Sequence, residues 1–136
     1  MIHVLDTTAL SAAMRYESAL MEFLRPLRPG DVATAPPAVA EIEYGIERLP
    51  VGSRKRELLE AERARLLATI AVLDWTPEAS RHFGRMKTHL ERSGELIDDF
   101  DMAIAAVAAA HDATVVTANL VHFTRIPGLR VLHWRE

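Results

Sequence analysis

The chain has 136 residues, and this length predicts a single domain over residues 1–136. It contains no cysteine, so a disulfide framework, a thiolate metal site and a cysteine nucleophile are excluded. Because the net charge is −3, any binding to nucleic acid has to depend on local basic segments or on a metal ion. The start lacks the pattern of a signal peptide and no apolar run is as long as a membrane span, so we expect a cytoplasmic protein without membrane contact.

The first half of the chain alternates two short strands with helices. Residues 2–5 are an apolar run that predicts a buried strand, and residues 7–14 and 17–24 follow it as a pair of short helices. After a break that contains prolines, residues 32–34 predict a second strand. The next helix begins near Pro36, because proline is tolerated in the first turn of a helix.

The second half of the chain continues the same alternation. A further helix precedes the third predicted strand at 70–74, and another helix begins at Pro77. The segment from about residue 99 to residue 111 is apolar on nearly every side, which is typical of a buried helix. The last two strands are predicted at 114–117 and 129–133.

This alternation of strand and helix predicts an α/β protein with three layers, in which helices cover both faces of a parallel sheet. Ligands of such sheets bind at the carboxyl ends of the strands. Chemistry is therefore expected from polar residues that directly follow a strand or that begin the next helix.

Acidic side chains lie at several of these positions. Asp6 directly follows the first strand, although an aspartate there equally suits the N-cap of the next helix. Glu41 lies on the helix after the second strand and shares a face of that helix with Gly45, where a glycine permits close approach of a ligand; a solvated helix face is the alternative. Asp101 precedes the apolar stretch 102–106, and a carboxylate that enters a core is costly without a partner such as a metal ion.

Other polar residues accompany these acids. Asp98 and Asp99 belong to the same acidic first turn as Asp101, which a helix dipole favours by itself. Asn119 follows the fourth strand, where asparagine is also a common turn residue. Carboxylates gathered at one edge would raise one another's pKa, and a divalent cation removes that conflict. Oxygen ligands suit Mg²⁺ or Mn²⁺, whereas the six scattered histidines show no spacing typical of a zinc site.

Several segments of the chain resemble the motifs of PIN-domain nucleases, in particular the VapC toxins of bacterial toxin–antitoxin systems. In family order, these segments are 4–10, 40–46, 101–106 and 116–119, with a tail at 123–129. The resemblance implies a PIN-like fold with a five-stranded parallel sheet and cleavage of RNA phosphodiester bonds that depends on Mg²⁺ or Mn²⁺. It also implies neutralisation by a small VapB-type antitoxin, and a homodimer that forms a heterotetramer or larger assembly with that antitoxin.

The resemblance also assigns roles to particular residues. The catalytic residues that it implies are Asp6, Glu41, Asp101 and Asn119. Asp6 and Asp101 are the expected metal ligands, and Thr117 matches the supporting hydroxyl of the fourth motif. Asn119 stands where the family commonly has an acid, and it offers a carbonyl oxygen without charge, which weakens the expectation of a second metal ion. Asp98 and Asp99 are candidates to supply the missing charge.

One short segment concentrates positive charge. Arg54, Lys55 and Arg56 are consecutive, and we predict that they contact RNA phosphates. The alternative is a solvated helix whose arginines are balanced by the glutamates that follow.

Two other interpretations of the whole chain remain open at this point. A catalytically decayed domain of the same fold would bind RNA or protein without cutting, and the neutral Asn119 fits that alternative. A receiver-type signalling domain would use Asp74, after the third predicted strand, as its phosphoacceptor. That alternative also needs an acidic pair at the end of the first strand, where Asp6 is the only acid.

Overall fold

Helices and strands alternate along the chain in a computed structural model that describes all residues, 1–136. In chain order they are β1 (His3–Leu5), α1 (Thr7–Met14), α2 (Ser18–Leu24), β2 (Val32–Thr34), α3 (Pro36–Glu47), α4 (Arg54–Leu67), β3 (Ala71–Val72), α5 (Pro77–Arg92), α6 (Asp99–Ala110), β4 (Thr114–Val116), α7 (Leu120–Phe123) and β5 (Val131–Leu132). None of these helices combines the length and the apolar character that crossing a membrane requires.

The five strands form one parallel sheet in the order β3-β2-β1-β4-β5. Its central strands are buried, as expected for a sheet that helices cover. The predicted α/β fold with a five-stranded parallel sheet is therefore confirmed. The strand order also excludes the receiver-type interpretation, because receiver domains have the order 2-1-3-4-5.

The helix α6 lies in the core, as its apolar sequence predicts. Met102 and residues 104–108 are buried, and most of these side chains are small. Small side chains let a helix approach its neighbours closely, and α6 packs against both α5 and α3. The first turn of α6, which carries Asp101, thereby comes close to α3.

The third and fifth strands are shorter than the sequence predicts. Only Ala71–Val72 and Val131–Leu132 pair with the sheet, whereas the predicted strands cover 70–74 and 129–133. The flanking apolar residues, Ile70 among them, pack against the core without belonging to the ladder. The paired residues Ala71 and Val72 are themselves exposed, so at the edges of this sheet an apolar run does not mark the extent of strand pairing.

The carboxyl ends of the three central strands are level with one another. Leu5 pairs with Thr34 on one side and with Val116 on the other. The residue after β1, Asp6, donates its backbone N–H to the carbonyl oxygen of Val116 at 3.1 Å. The segments that leave β1, β2 and β4 therefore begin at the same edge, where ligands of parallel sheets bind.

Candidate active site

Asp6 is buried at the carboxyl end of β1 and is the N-cap of α1. Its Oδ1 accepts hydrogen bonds from the backbone N–H of Ala9 at 2.9 Å and from Oγ1 of Thr8 at 2.6 Å. Its Oδ2 accepts a third from Oγ1 of Thr117. Burial raises the pKa of Asp6 above its ordinary value although these donors lower it, and the nearby Asp101 raises it further. The N-cap and the site residue are therefore the same carboxylate.

Glu41 lies in the middle of α3 and is half-buried. Oγ1 of Thr7, in the first turn of α1, donates a hydrogen bond to its Oε1. Burial raises the pKa of Glu41, and the carboxylates of Asp101, Asp98 and Asp6 raise it further. Glu41 is thus part of the same electrostatic cluster as the residues that follow β1 and begin α6.

Asp101 belongs to the first turn of α6, and 14% of its side chain is exposed. Nδ1 of His122 donates a hydrogen bond to its Oδ2 at 3.0 Å. His122 is not predicted from the sequence, because α7 is only four residues long and no histidine spacing marks it. The one available signal is that His122 lies three residues after Asn119.

The three acids lie near enough to influence one another electrostatically at one edge of the sheet, although they are remote in sequence. No lysine or arginine forms an ion pair with Asp6, Glu41 or Asp101, and His122 is the one basic side chain in contact with them. Each carboxylate is turned towards a hydroxyl or imidazole donor of the protein. In this arrangement, no three acidic or histidine side chains are close enough together to hold one metal ion.

Asp98 and Asp99 have structural partners at the start of α6. Oδ1 of Asp98 accepts hydrogen bonds from the backbone N–H groups of Phe100 at 2.8 Å and Asp101 at 3.4 Å, so this residue is the N-cap. Asp99 pairs with Nζ of Lys87 at 3.1 Å. Both carboxylates lie next to the acid cluster, and that of Asp98 is close enough to raise the pKa of Glu41.

Thr117 and Asn119 follow β4 and differ in burial and in hydrogen bonding. Thr117 is completely buried, and its Oγ1 both donates to Asp6 and accepts the backbone N–H of Asn119 at 2.8 Å. The side chain of Asn119 is exposed and makes no hydrogen bond within the protein. The backbone N–H of Ala118 donates to Oγ1 of Thr8 at 2.9 Å. This hydrogen-bond network fixes the loop after β4 against the start of α1.

A groove of about 360 Å³ opens beside Glu41, between α1, α3 and α4. Its floor is apolar, with side chains such as Ile42 and Ile46 from α3. Arg15, Arg48 and Lys55 contribute cationic groups to its lining. The residues that line it are Thr7, Ser11, Met14, Arg15, Glu41, Ile42, Gly45, Ile46, Arg48, Leu49, Lys55 and Leu59. Glu41 and Gly45 therefore face the same groove, as their spacing predicts.

The predicted RNA-contacting residues at the start of α4 differ in their surroundings. Arg54 and Lys55 are exposed and form no ion pair. The side chain of Arg56 is only 15% exposed, and its guanidinium pairs with Glu47 and Glu60 at 3.0 Å each. It also donates to the carbonyl oxygens of Glu47 and Leu49. Arg56 therefore connects α3 to α4 within the protein.

Known proteins resemble the chain over its whole length. The PIN domain profile matches residues 3–129. Ribonuclease VapC2 of Rickettsia felis is 29% identical over 136 residues, which is 98% of each chain. The tRNA(fMet)-specific endonuclease VapC of Salmonella typhimurium is 35% identical over 94 residues, or 69% of this chain and 68% of that protein.

Structural similarity agrees with the sequence matches. The crystal structure of VapBC2 from Rickettsia felis bound to a DNA fragment from their promoter contains a chain with a TM-score of 0.88 and 29% identity. The match covers 98% of this chain and 99% of that chain. The chain described here therefore belongs to the PIN-domain family and, within it, to the VapC ribonucleases of toxin–antitoxin systems.

Proposed function

We propose that this VapC ribonuclease is an endoribonuclease toxin that hydrolyses RNA phosphodiester bonds with a divalent metal ion at the carboxyl edge of its sheet. The observation that carries the proposal is the meeting of Asp6, Glu41 and Asp101, from three separate elements, without a lysine or arginine partner. Burial, together with the neighbouring carboxylates, raises the pKa of Asp6 and of Glu41, and a bound cation would favour the charged forms of both.

The donor set fits Mg²⁺ or Mn²⁺, because the acids and the side chain of Asn119 offer oxygen atoms, which hard cations prefer. Asp6 and Asp101 are the proposed ligands, and Asp98 adds supporting negative charge, whereas the charge of Asp99 is already paired with Lys87. A divalent ion held there supplies two effects, a lower pKa of a bound water and polarisation of the phosphate.

Glu41 is the proposed residue for orienting the attacking water or accepting its proton. Its raised pKa lies closer to the pH at which a general base acts near neutrality. Thr7 fixes Oε1 of Glu41, whereas Oε2 has no hydrogen-bond donor and is free to contact water. Thr8 and Thr117 hold Asp6 in one orientation at the same time.

Cleavage and metal binding, measured side by side, test this proposal. Asp6→Asn and Asp101→Asn are expected to reduce Mg²⁺-dependent or Mn²⁺-dependent cleavage of tRNA by about a hundredfold or more, with unchanged circular dichroism spectra. Titration calorimetry should show Mn²⁺ binding to the wild type that weakens in both variants. Near-full activity in either variant would refute the assignment, and a wild type that neither binds metal nor cuts RNA would be the decayed binding module.

The proposed substrate class is structured RNA such as tRNA, since the relative from Salmonella typhimurium is named for its action on tRNA(fMet). Arg54 and Lys55 are the proposed phosphate contacts near the groove, because both are exposed and unpaired. Arg56 is less suited to this function, since its guanidinium is already bound by four acceptor groups of the protein.

The VapB-type antitoxin is proposed to bind the groove beside Glu41. The apolar floor suits an amphipathic segment, and the neighbouring acids suit a basic side chain on that segment. Gly45 supports this placement. Glycine in a helix interior is about 1 kcal/mol less favourable than alanine, yet an added Cβ at Gly45 would meet no atom within 4 Å. Close approach of a bound partner explains a glycine that the packing of the protein does not require.

The proposed assembly is a homodimer that forms a heterotetramer or a larger complex with the antitoxin. Light scattering coupled to size-exclusion chromatography measures both masses directly, and a monomer at micromolar concentration would contradict the proposal.

A further inference from the structure

The outward face of α5 carries a row of basic side chains that the proposed cleavage site does not use. The opposite side of the helix packs against the core through Ala79, Phe83, Met86 and Leu90. Residues of the outward side recur every three or four positions and are exposed; they are Arg81, Gly84, Arg85, Thr88, His89 and Arg92. These six residues, called the α5 basic face below, line a shallow depression without any apolar side chain.

The α5 basic face has little internal charge compensation. Arg81 pairs with Glu78 at 2.9 Å, but 57% and 58% of the two side chains are exposed, and ion pairs of this kind contribute little. Arg85 and Arg92 form no ion pair at all. In a chain whose net charge is −3, three arginines on one helix face create a local positive field that attracts a polyanion.

The centre of the α5 basic face is open because the residue there is glycine. Gly84 lies inside α5, where glycine is about 1 kcal/mol less favourable than alanine. An added Cβ would meet no atom within 4 Å, so internal packing does not require this glycine. Oγ1 of Thr88 donates to the carbonyl oxygen of Gly84 at 2.8 Å and is thereby held against the helix. The arginines consequently flank a flat stretch of helix against which a ligand backbone can lie.

The spacing of the arginines suits a row of phosphates rather than a single phosphate. Arg81 and Arg85 lie about 6 Å apart along the helix axis, and Arg92 lies about 10 Å further on. The α5 basic face contains no phenylalanine, tyrosine or tryptophan on which a base could stack. Contacts from such a surface hold a nucleic-acid backbone in place without reading its sequence.

The α5 basic face lies on the helix that neighbours the candidate active site. α5 packs against α6, and Nζ of Lys87 pairs with Asp99 at 3.1 Å, two residues before Asp101. We propose that the α5 basic face binds backbone phosphates of the RNA substrate outside the cleavage site, so that one RNA molecule contacts both places. This inference rests on the proposed ribonuclease function, and it concerns how a long RNA is held rather than how it is cut.

Binding to unfractionated tRNA in EDTA tests the inference without cleavage. The double variant Arg85→Gln/Arg92→Gln is expected to bind about tenfold more weakly than the wild type at low salt. The slope of log K against log salt concentration should become shallower by about 1.4, because two phosphate contacts are lost. When Mg²⁺ is restored, the KM for tRNA should rise while kcat stays unchanged.

Two further variants separate the α5 basic face from general effects. Arg25→Gln/Arg28→Gln removes the same charge from exposed positions between α2 and β2 and should leave tRNA binding unchanged. Gly84→Leu places a good helix former where there is room for it, so the protein should fold normally and bind tRNA more weakly.

The outcomes distinguish this inference from the ribonuclease proposal. An unchanged salt slope in Arg85→Gln/Arg92→Gln, or an equal loss of binding in Arg25→Gln/Arg28→Gln, would overturn the inference. The salt slopes of the wild type and Arg85→Gln/Arg92→Gln could differ as expected although the wild type does not cut tRNA. That result would support RNA binding by the α5 basic face and contradict the ribonuclease proposal.

Discussion

The side chains of Asp6 and Glu41 differ in burial and in the number of hydrogen bonds that they accept. This difference suits the two residues to different proposed functions. Asp6 is 1% exposed and receives three side-chain or backbone hydrogen bonds. Glu41 is half-buried and receives a single one, from Thr7. A carboxylate in a fixed orientation suits a metal ligand, whereas a carboxylate with one free oxygen suits contact with water. The same chemical group is therefore suited to two different proposed functions, because its two environments differ.

His122 is expected to act through Asp101, as a positioning residue. Its hydrogen bond to Oδ2 fixes the orientation of the Asp101 carboxylate, which would be a ligand of the proposed metal ion. His122→Leu removes the donor and should weaken Mn²⁺ binding by about tenfold or more, as measured by calorimetry. His122→Asn keeps a side-chain N–H at a similar distance from the backbone and should retain most of the affinity. Equal Mn²⁺ affinity in the wild type and in both variants would contradict this function for His122.

The common location of Asp6 and Asp101 is predictable from the sequence, because one follows a strand and the other begins a buried helix, whereas Glu41 lies inside α3 and is marked by its helix face shared with Gly45. His122 is not predictable in the same way. Its contact with Asp101 spans 21 residues and depends on how the short helix α7 is placed against α6. The ion pairs of Arg56 with Glu47 and Glu60 are not predictable either, since the alternation of charges along a helix does not show which side chains form ion pairs.

At the scale of elements, the connection between α3 and α4 depends on one arginine. Arg56 donates to the carbonyl oxygen of Glu47, which the end of α3 leaves without a helical partner, and to that of Leu49 in the loop that follows. It also forms ion pairs with the side chains of Glu47 and Glu60. Two helices that line the groove are thereby held in a fixed relation.

Arg56 and its two neighbours are expected to respond differently to the loss of charge. Arg56→Gln should lower the free energy of unfolding by about 1–2 kcal/mol, because its charge-assisted hydrogen bonds are partly buried. Arg54→Gln and Lys55→Gln should change it by less than about 0.5 kcal/mol. Each of the latter should make the salt slope of tRNA binding shallower by about 0.7. Urea denaturation and fluorescence anisotropy measure the two properties, and a stable Arg56→Gln variant with a shallower slope would reverse the assignment.

The groove between α1, α3 and α4 makes a separate prediction about the antitoxin. Gly45→Leu is expected to leave folding intact, since nothing lies within 4 Å of an added Cβ, but to fill the floor beside Glu41. Antitoxin affinity should then fall by about tenfold or more, as expected for overfilling a packed contact. Gly84→Leu makes the same change inside α5 and is the matched control. Equal antitoxin affinity in both variants would place the partner elsewhere.

The sheet shows how far the elements follow from the sequence. Alternating strands and helices predict a parallel sheet, and its three central strands lie close to the predicted residues. The strand order β3-β2-β1-β4-β5 cannot be predicted from the periodicity of the sequence, because it depends on the side of β1 to which each crossover returns. The short ladders of β3 and β5 also escape prediction, since the length of an apolar run does not show how many of its residues pair with the sheet.

For the molecule as a whole, gathering acids at one edge lowers stability when no cation is bound. Burial raises the pKa of Asp6 and Glu41, so the folded chain binds more protons than the unfolded chain between the ordinary and the raised values. The stability of the metal-free protein therefore falls as pH rises through that window, and the loss is complete above the raised values. The pKa values of Glu17, Glu62 and Glu78 are lowered in the folded protein, so these three groups make stability rise with pH.

Comparison with Asp6→Asn isolates this effect from the other carboxylates. The variant removes a buried charge, so it should be more stable than the metal-free wild type near pH 7, and its advantage should shrink as pH falls towards the ordinary pKa of 3.8. Mg²⁺ at about 100 times its Kd should stabilise the wild type by about 2.7 kcal/mol and the variant much less, which reverses the order. Thermal unfolding with EDTA and with Mg²⁺ measures both differences. Equal stabilisation of the two proteins by Mg²⁺ would mean that the ion binds away from Asp6.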